Sequence, residues 1–185
     1  MIAKHIPNMI CIFRILLVGP VVWLLWHGNF ATTLWLFFIA GFSDGLDGYL
    51  ARRFGWRSRL GGILDPLADK SLMVSVFITL ALIDLIPVWL AVLVVGRDLA
   101  IVSGGLVYNW LFGAVQLQPT NVSKLNTFLQ LVLVLVVVAG AAYGWPGEPW
   151  VIAFGASVMV TTIISGADYV WQWSRKAYLS GADAT

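Results

Sequence analysis

Four aspartates lie close together in a chain that is otherwise overwhelmingly apolar. Asp44 and Asp47 form one pair and Asp65 and Asp69 form another, among only nine acidic residues in the whole sequence. A charged side chain at the centre of a bilayer costs ~3 kcal/mol even on lenient insertion scales. A divalent cation takes oxygen ligands and cancels the repulsion between carboxylates, so these four acids are candidates for a metal site.

Two other roles are open for the same acids. Paired carboxylates in membrane helices serve as proton or cation relays in transporters. They also form structural salt bridges, for which Arg52 and Lys70 are the nearest basic partners in sequence. Residue type and spacing therefore leave three hypotheses, which are metal catalysis, ion transport and structural pairing.

The composition of the chain is that of an integral membrane protein. Of its 185 residues, 60% are hydrophobic and 11% are charged, and the mean hydropathy is +0.89. The net charge of +2 is too small to indicate nucleic-acid binding. The single cysteine, Cys11, excludes an internal disulfide. The short basic N-terminus predicts a retained first span rather than a signal peptide.

Apolar stretches divide the sequence into six predicted helices. They cover approximately residues 8–26, 32–53, 60–85, 87–112, 122–143 and 150–173. Each is close to the ~20 residues that a helix needs to cross the hydrocarbon core. We therefore predict an all-α, polytopic membrane protein in which residues 1–185 form a single bundle of six transmembrane helices.

The basic residues predict the orientation of this bundle. Lysine and arginine are concentrated at the N-terminus, between the second and third segments, at the start of the fifth, and at the C-terminus. The alternate loops carry almost none. Since cytoplasmic loops are enriched in lysine and arginine, both termini are expected in the cytoplasm.

Helical spacing predicts that the four acids converge. Asp44 and Asp47 are three residues apart and Asp65 and Asp69 are four apart, so each pair shares one helix face. The second and third segments are antiparallel neighbours, which places both pairs in their cytoplasmic halves. Small residues beside the acids allow a flat ligand or another helix to approach closely. The result is an oxygen-rich cage for one or two metal ions.

The whole stretch resembles a known family signature. Residues Asp44 to Asp69 fit the pattern D-x2-D-G-x2-A-R-x8-G-x3-D-x3-D at every fixed position. This is similar to the signature of the CDP-alcohol phosphotransferases, also called CDP-alcohol phosphatidyltransferases. The predicted topology is similar along the full length as well. The resemblance implies an enzyme that transfers a phosphatidyl group from CDP-diacylglycerol to an alcohol and releases CMP.

The resemblance also implies roles for individual residues. It makes Asp44, Asp47, Asp65 and Asp69 the residues of a site for Mg²⁺ or Mn²⁺, with two ions expected, and it makes Asp69 also the candidate general base. It implies that the CDP group is bound by a further set of residues, comprising Asp44, Gly48, Ala51, Arg52 and Gly61. It implies a homodimer in the membrane, with the active site facing the cytoplasm and the bacterial inner membrane as the expected location.

The alcohol acceptor is predicted to bind near polar residues of the fourth and fifth segments. The candidates are Arg97, Ser123, Lys124 and Asn126. Arg97 falls inside an apolar run and therefore needs an anionic partner, which could be Asp98, an acid of the cage or a substrate phosphate.

Two cations are missing from this pocket in comparison with relatives that use glycerol 3-phosphate. Those relatives commonly carry a second arginine where this chain has Gly105, and a second lysine where it has Asn126. The stretch from Pro119 to Gln130 is more similar to the cardiolipin synthases of the family. We therefore predict phosphatidylglycerol, which has one charge, as the acceptor. The alternative is glycerol 3-phosphate, and the non-enzymatic alternative is a cation or proton transporter.

Overall fold

A computed structural model describes residues 6–41, 61–112 and 120–182, with side chains described mainly over 12–41, 70–104 and 120–169. These residues are helical except for short connections, so the all-α prediction is confirmed for the part of the chain described. The helices are α1 Ile6–Trp26, α2 Phe30–Gly41, α3 Gly61–Leu82, α4 Val88–Phe112, α5 Asn121–Tyr143 and α6 Glu148–Ala182.

The chain divides into two compact units. The first comprises residues 1–88 and 134–148, and within it α1 packs against α3. Its interior is mostly apolar, and the buried polar side chains described there are Arg14, Thr33 and Thr79. On α1 the buried residues Leu17, Val21 and Leu25 recur at every fourth position, which places them on one helix face. Among the α3 side chains that the structure describes, from residue 70 onward, the buried ones lie between Leu72 and Ala81.

The second unit comprises residues 89–133 and 149–185. Its apolar interior includes Leu90, Val94 and Val158, and Leu90 also contacts the small residue Gly155, where an added Cβ would lie 3.8 Å from its side chain. Unlike the first unit, it also buries a large set of polar side chains, which comprises Arg97, Asp98, Ser123, Asn126, Gln130, Thr162 and Ser165. The predicted acceptor-pocket residues Arg97, Ser123 and Asn126 therefore lie inside this unit.

Two helices in the described ranges are long and apolar enough to cross a membrane. They are α5 over Asn121–Tyr143 and α6 over Glu148–Tyr169. Shorter apolar helical stretches cover Ile12–Trp26, Phe30–Gly41 and Lys70–Leu82. Large apolar side chains such as Trp23, Trp35 and Trp171 are exposed. An apolar exterior of this kind is typical of helices that face lipid.

Helix α6 is longer than the sequence predicted. It ends at Ala182 rather than near Trp173, and its 35 residues span about 52 Å at 1.5 Å per residue. The hydrocarbon core is only about 30 Å thick, so the last turns extend beyond it. The added residues include the good helix formers Arg175, Lys176 and Leu179, which explains why the helix continues after the apolar run ends.

Two helices end in the same hydrogen-bonded cap with different residues at its left-handed position. After α1, Gly28 has φ 73°, and the amide of Asn29 donates to the carbonyl of Leu24. After α3, Asp84 has φ 59°, and the amide of Leu85 donates to the carbonyl of Leu80. Glycine suits this position because it has no Cβ, whereas an L-residue there is strained.

These caps give a matched pair of stability predictions. Asp84→Gly should raise the free energy of unfolding by about 1 kcal/mol, and Gly28→Ala should lower it by about the same amount. The thermal unfolding of the purified protein in detergent measures both. Gly19→Ala is the control, because an added Cβ there meets nothing within 4 Å and its φ is helical. If Gly28→Ala is no less stable than Gly19→Ala, the account of the caps is wrong.

Candidate functional site

Helix α3 carries two of the four predicted acids. It begins at Gly61, and Asp65 and Asp69 lie one turn apart within it, as their spacing predicted. The remaining signature residues, which are Asp44, Asp47, Gly48, Ala51 and Arg52, lie outside the described residues. Within the described ranges, which leave out residues 42–60, no group of three or more metal-ligating side chains lies together. The complete acidic cage therefore remains a prediction.

The polar site that the structure does describe is centred on Arg97 of α4. One terminal nitrogen, Nη1, donates a hydrogen bond to Oδ1 of Asp98 at 2.7 Å. The other, Nη2, donates to the hydroxyl of Ser123 on α5 at 2.6 Å and to that of Ser165 on α6. The guanidinium carbon also lies 5.8 Å from the ring centroid of Tyr169. Arg97 thus joins three helices of the second unit.

Local sequence explains why these groups meet. The hydroxyl of Thr120 accepts a hydrogen bond from the amide of Ser123 at 3.2 Å, which caps the start of α5 and fixes Ser123 in its first turn. On α6, Ser165 and Tyr169 are four residues apart and share a face. Gly166 lies beside Arg97, and an added Cβ there would be 3.9 Å from its Cγ.

The charge of Arg97 is neutralised inside the protein. Its side chain is 5% exposed and that of Asp98 is 3% exposed, so water screens neither charge effectively. Three anionic partners were considered for Arg97, and the structure shows that its neighbour Asp98 is one. Arg97 and Ser123 were both predicted to line the acceptor pocket, and the structure brings them together. The ion pair of Arg97 with Asp98 adds no net charge to that pocket.

Removing the charge of Asp98 should destabilise the protein strongly. In Asp98→Asn the buried guanidinium of Arg97 loses its counter-charge, and breaking a buried pair in this way costs about 3–5 kcal/mol. A large fall in unfolding temperature in detergent is the expected result. The double variant Arg97→Met with Asp98→Leu should recover most of the loss, because neither charge then remains buried. If Asp98→Asn unfolds at the wild-type temperature, the pair has no structural role.

A second buried polar group lies one turn along α5. Asn126 is 0% exposed, and its Oδ1 accepts hydrogen bonds from the hydroxyls of Thr161 at 2.8 Å and Thr162 at 2.9 Å. Its Nδ2 has no hydrogen-bond partner. Lys124, by contrast, is exposed. The structure therefore places Asn126 in the polar interior with Ser123, and it does not bring Lys124 there.

Several residues of this site were not predicted from the sequence. They are the partners on α6, which are Thr161, Thr162, Ser165 and Tyr169, and Gln130 on α5. The signal for Gln130 was present, since it follows Asn126 by four residues and so lies on the same helix face. The α6 residues carry no comparable signal, because serine and threonine are common on any membrane helix.

The described residues form helices with exposed apolar side chains, and the second unit buries a cluster of polar side chains within its apolar interior. Comparison with known proteins is more specific. The family profile described as CDP-alcohol phosphatidyltransferase matches residues 4–166. The chain therefore belongs to the CDP-alcohol phosphatidyltransferase family, as the acidic signature predicted.

Curated relatives at similar identity fall into two groups. The chain is 32% identical to human cardiolipin synthase (CMP-forming) over 187 residues, which cover 92% of this chain and 62% of the human protein. It is 33% identical to a probable cardiolipin synthase (CMP-forming) of Drosophila melanogaster, over 89% of this chain and 56% of the fly protein. It is also 33% identical to the chloroplastic CDP-diacylglycerol–glycerol-3-phosphate 3-phosphatidyltransferase 1 of rice, with 89% and 56% coverage. The chain thus spans about three fifths of the length of these relatives.

Proposed function

We propose that this protein is a metal-dependent phosphatidyltransferase that uses CDP-diacylglycerol as donor and phosphatidylglycerol as acceptor, and forms cardiolipin and CMP. Family membership and the complete acidic signature support the transferase class. The single observation that favours phosphatidylglycerol is the internal pairing of Arg97 with Asp98.

The pairing bears on the acceptor because the two candidate acceptors differ in charge. Glycerol 3-phosphate carries a phosphate monoester, which is largely a dianion at neutral pH, whereas phosphatidylglycerol carries a phosphodiester with one charge. Arg97 and Asp98 together are neutral, and Lys124 is exposed outside the buried cluster. Among the side chains that the structure describes, this buried cluster has no net positive charge, and such a cluster disfavours a dianion because desolvating unpaired charge is costly. The cardiolipin synthases among the relatives agree with this choice.

The acids suit Mg²⁺ or Mn²⁺, which prefer carboxylate oxygens. Asp65 lies on a helix face with Asp69, and the ions would be held by Asp65 together with Asp44 and Asp47. When bound, they neutralise the diphosphate and polarise its phosphorus. The family resemblance further implies that Gly48, Ala51 and Gly61 would leave room for the cytidine and that Arg52 would bind near the diphosphate.

The transfer step exchanges one phosphorus–oxygen bond for another. A hydroxyl oxygen of the acceptor glycerol forms a bond to the phosphorus of the phosphatidyl group. The bond from that phosphorus to the bridging oxygen breaks, and CMP leaves with the electron pair. Asp69 accepts the proton of the attacking hydroxyl, which requires it to lie within hydrogen-bond reach of the hydroxyl oxygen.

We further propose that all six helices span the membrane, with both termini and the active site on the cytoplasmic side. The distribution of lysine and arginine supports this orientation. In a bacterial cell the corresponding membrane is the inner membrane. A homodimer follows from the family resemblance, and chemical cross-linking in native membranes tests it.

An acceptor comparison tests the proposed reaction. Purified protein is incubated with CDP-diacylglycerol and Mg²⁺ or Mn²⁺, and initial rates of CMP release are measured with phosphatidylglycerol and with glycerol 3-phosphate. We expect kcat/KM to be at least about tenfold higher for phosphatidylglycerol, the ratio that ~1.4 kcal/mol of differential binding produces. Turnover of glycerol 3-phosphate alone would instead indicate the activity for which the rice relative is named, and no turnover of any alcohol would reject the enzyme class.

A further inference from the structure

Arg14 is a buried charged residue to which the proposed reaction gives no role. It lies on α1 in the first unit and is only 1% exposed. A guanidinium keeps its charge inside a protein, so its burial is costly unless an anion lies close to it. Among the residues described in this unit, the other buried polar side chains are Thr33 and Thr79, and neither carries a charge.

The acids of the first unit include two that are badly placed to balance Arg14. Asp84 lies beyond the last residue of α3 and Glu148 in the first turn of α6, and both are exposed. The other acids of this unit are those of the signature. Of these, Asp65 and Asp69 lie on α3, the helix against which α1 packs. Helix α3 therefore offers two candidate partners for Arg14.

The buried residues of α1 and α3 follow the same spacing. Both helices bury a row of three aliphatic side chains at every fourth position, which are Leu17, Val21 and Leu25 on α1 and Leu72, Val76 and Leu80 on α3. Counted along the sequence, each α3 residue follows its α1 counterpart by 55 positions. Arg14 precedes the first row by three residues, and Asp69 precedes the second row by three. By helical periodicity, Arg14 and Asp69 therefore each extend their row by one position.

The ends of the two helices place the rows at the same height. In the proposed topology one span separates α1 from α3, so the two helices run in the same direction. Helix α1 ends at Trp26 and α3 ends at Leu82, and the same hydrogen-bonded cap follows each. At 1.5 Å per residue, Arg14 lies about 18 Å before the first end and Asp69 about 20 Å before the second. Asp65 lies about 6 Å further along α3.

We propose that the guanidinium of Arg14 pairs with the carboxylate of Asp69 and fixes its orientation toward the attacking hydroxyl. This inference rests on the proposed role of Asp69 as the general base. A carboxylate has about four lone-pair sites, so an ion pair with arginine leaves sites for the proton. A fixed orientation matters because a displacement of about 1 Å in an active site can lower the rate ~10²-fold. Arg14 touches no substrate and is a positioning residue.

Unfolding temperatures in detergent with a metal chelator test the pair without substrate. Arg14→Met and Asp69→Leu should each lower the unfolding temperature by roughly 10 °C, as expected when a buried pair is broken in a chain of this size. The double variant should recover most of that loss, because neither charge of the pair then remains buried. Losses that simply add in the double variant would overturn the proposal.

Two further double variants test which acid Arg14 contacts. The losses should add when Arg14→Met is combined with Asp65→Leu or with Asp98→Leu. Recovery in one of these would assign Arg14 to that acid and overturn the pairing with Asp69. Leu17→Met is the matched control on the same row of α1 and should unfold close to the wild-type temperature.

The cycle also gives an answer if Arg14→Met alone does not fold. The double variant Arg14→Met with Asp69→Leu should then still fold, because it leaves no unbalanced member of the pair. A folded double variant supports the pair, and an unfolded one overturns it.

Kinetics separate a positioning role from a purely structural one. Arg14→Met should lower kcat for CMP release by ~10²-fold and leave KM for CDP-diacylglycerol within about twofold of the wild-type value. In an Asp69→Asn background the same change should lower kcat less than about twofold further, because groups that act as a unit are not additive. An equal fall in both backgrounds would mean that Arg14 serves only the fold, and this would overturn the positioning role.

The failure of this inference is distinguishable from failure of the proposed function. The unfolding measurements use no substrate, so they report on the pair whichever acceptor the enzyme uses. Full activity of Asp69→Asn would reject the proposed base and with it the positioning role. Additive losses of stability, together with an inactive Asp69→Asn, would reject the pair and leave the proposed base in place.

Discussion

Asp69→Asn is expected to lower kcat for CMP release by ~10²–10⁴-fold, the range that a positioned general base contributes. Asparagine has nearly the same shape as aspartate, so α3 should form normally, but its amide cannot accept the proton of the attacking hydroxyl. Initial rates with saturating CDP-diacylglycerol and phosphatidylglycerol measure the effect, and CMP is quantified by chromatography.

Asp84→Asn is the control for Asp69→Asn, because it removes one carboxylate just beyond the other end of α3 without touching the signature. Asp84 is exposed in the turn after α3, and asparagine tolerates the left-handed conformation found there. It should retain full activity. If Asp69→Asn is as active as Asp84→Asn, another group is the base and the role assigned to Asp69 is wrong.

Removal of divalent metal is expected to have a comparably large effect. Treatment with a chelator should abolish CMP release, and added Mg²⁺ or Mn²⁺ should restore it, because without the ions the carboxylates would repel the negative diphosphate. Asp65→Asn should raise the metal concentration needed for half-maximal rate, whereas Asp84→Asn should leave it unchanged. Full activity in the chelator would exclude the metal-dependent mechanism and favour another use for the four acids.

The helices were largely predictable from the sequence, because the length of each apolar stretch and the positions of the prolines indicate where a helix begins and ends. The start of α4 at Val88 follows Pro87, and α5 ends at Tyr143 as predicted, before the turn that contains Pro146. The end of α6 was not predictable from hydropathy. Hydropathy marks where a helix leaves the hydrocarbon, but Arg175 and Lys176 continue a helix well in water.

The candidate site was predictable only where local spacing carries the information. Asp65 and Asp69 lie one helical turn apart, and this follows from their spacing in the sequence. The partners of Arg97 do not, since Ser123 and Ser165 are remote in sequence from it and meet it only through the packing of three helices. Sequence analysis could state that Arg97 needs an anionic partner, and the structure was required to show that Asp98 is that partner.

The same limit explains why Gln130 was passed over. Its side chain has no charge, and a glutamine in a membrane helix is usually bonded to a neighbouring helix. Only the structure shows that its two amide atoms lack partners while those of Asn126 are partly satisfied by Thr161 and Thr162. An unpaired buried amide is a property of packing and has no counterpart in residue spacing.

The most direct test of the central claim is the identity of the product formed from two lipids with distinguishable acyl chains. CDP-diacylglycerol with one chain composition and phosphatidylglycerol with another are incubated with the protein and Mg²⁺ or Mn²⁺, and the lipids are analysed by mass spectrometry. We predict a cardiolipin that carries both chain sets, formed in equal amount to CMP. Cardiolipin that carries only the chains of phosphatidylglycerol, or CMP release without cardiolipin, would contradict the proposed transfer.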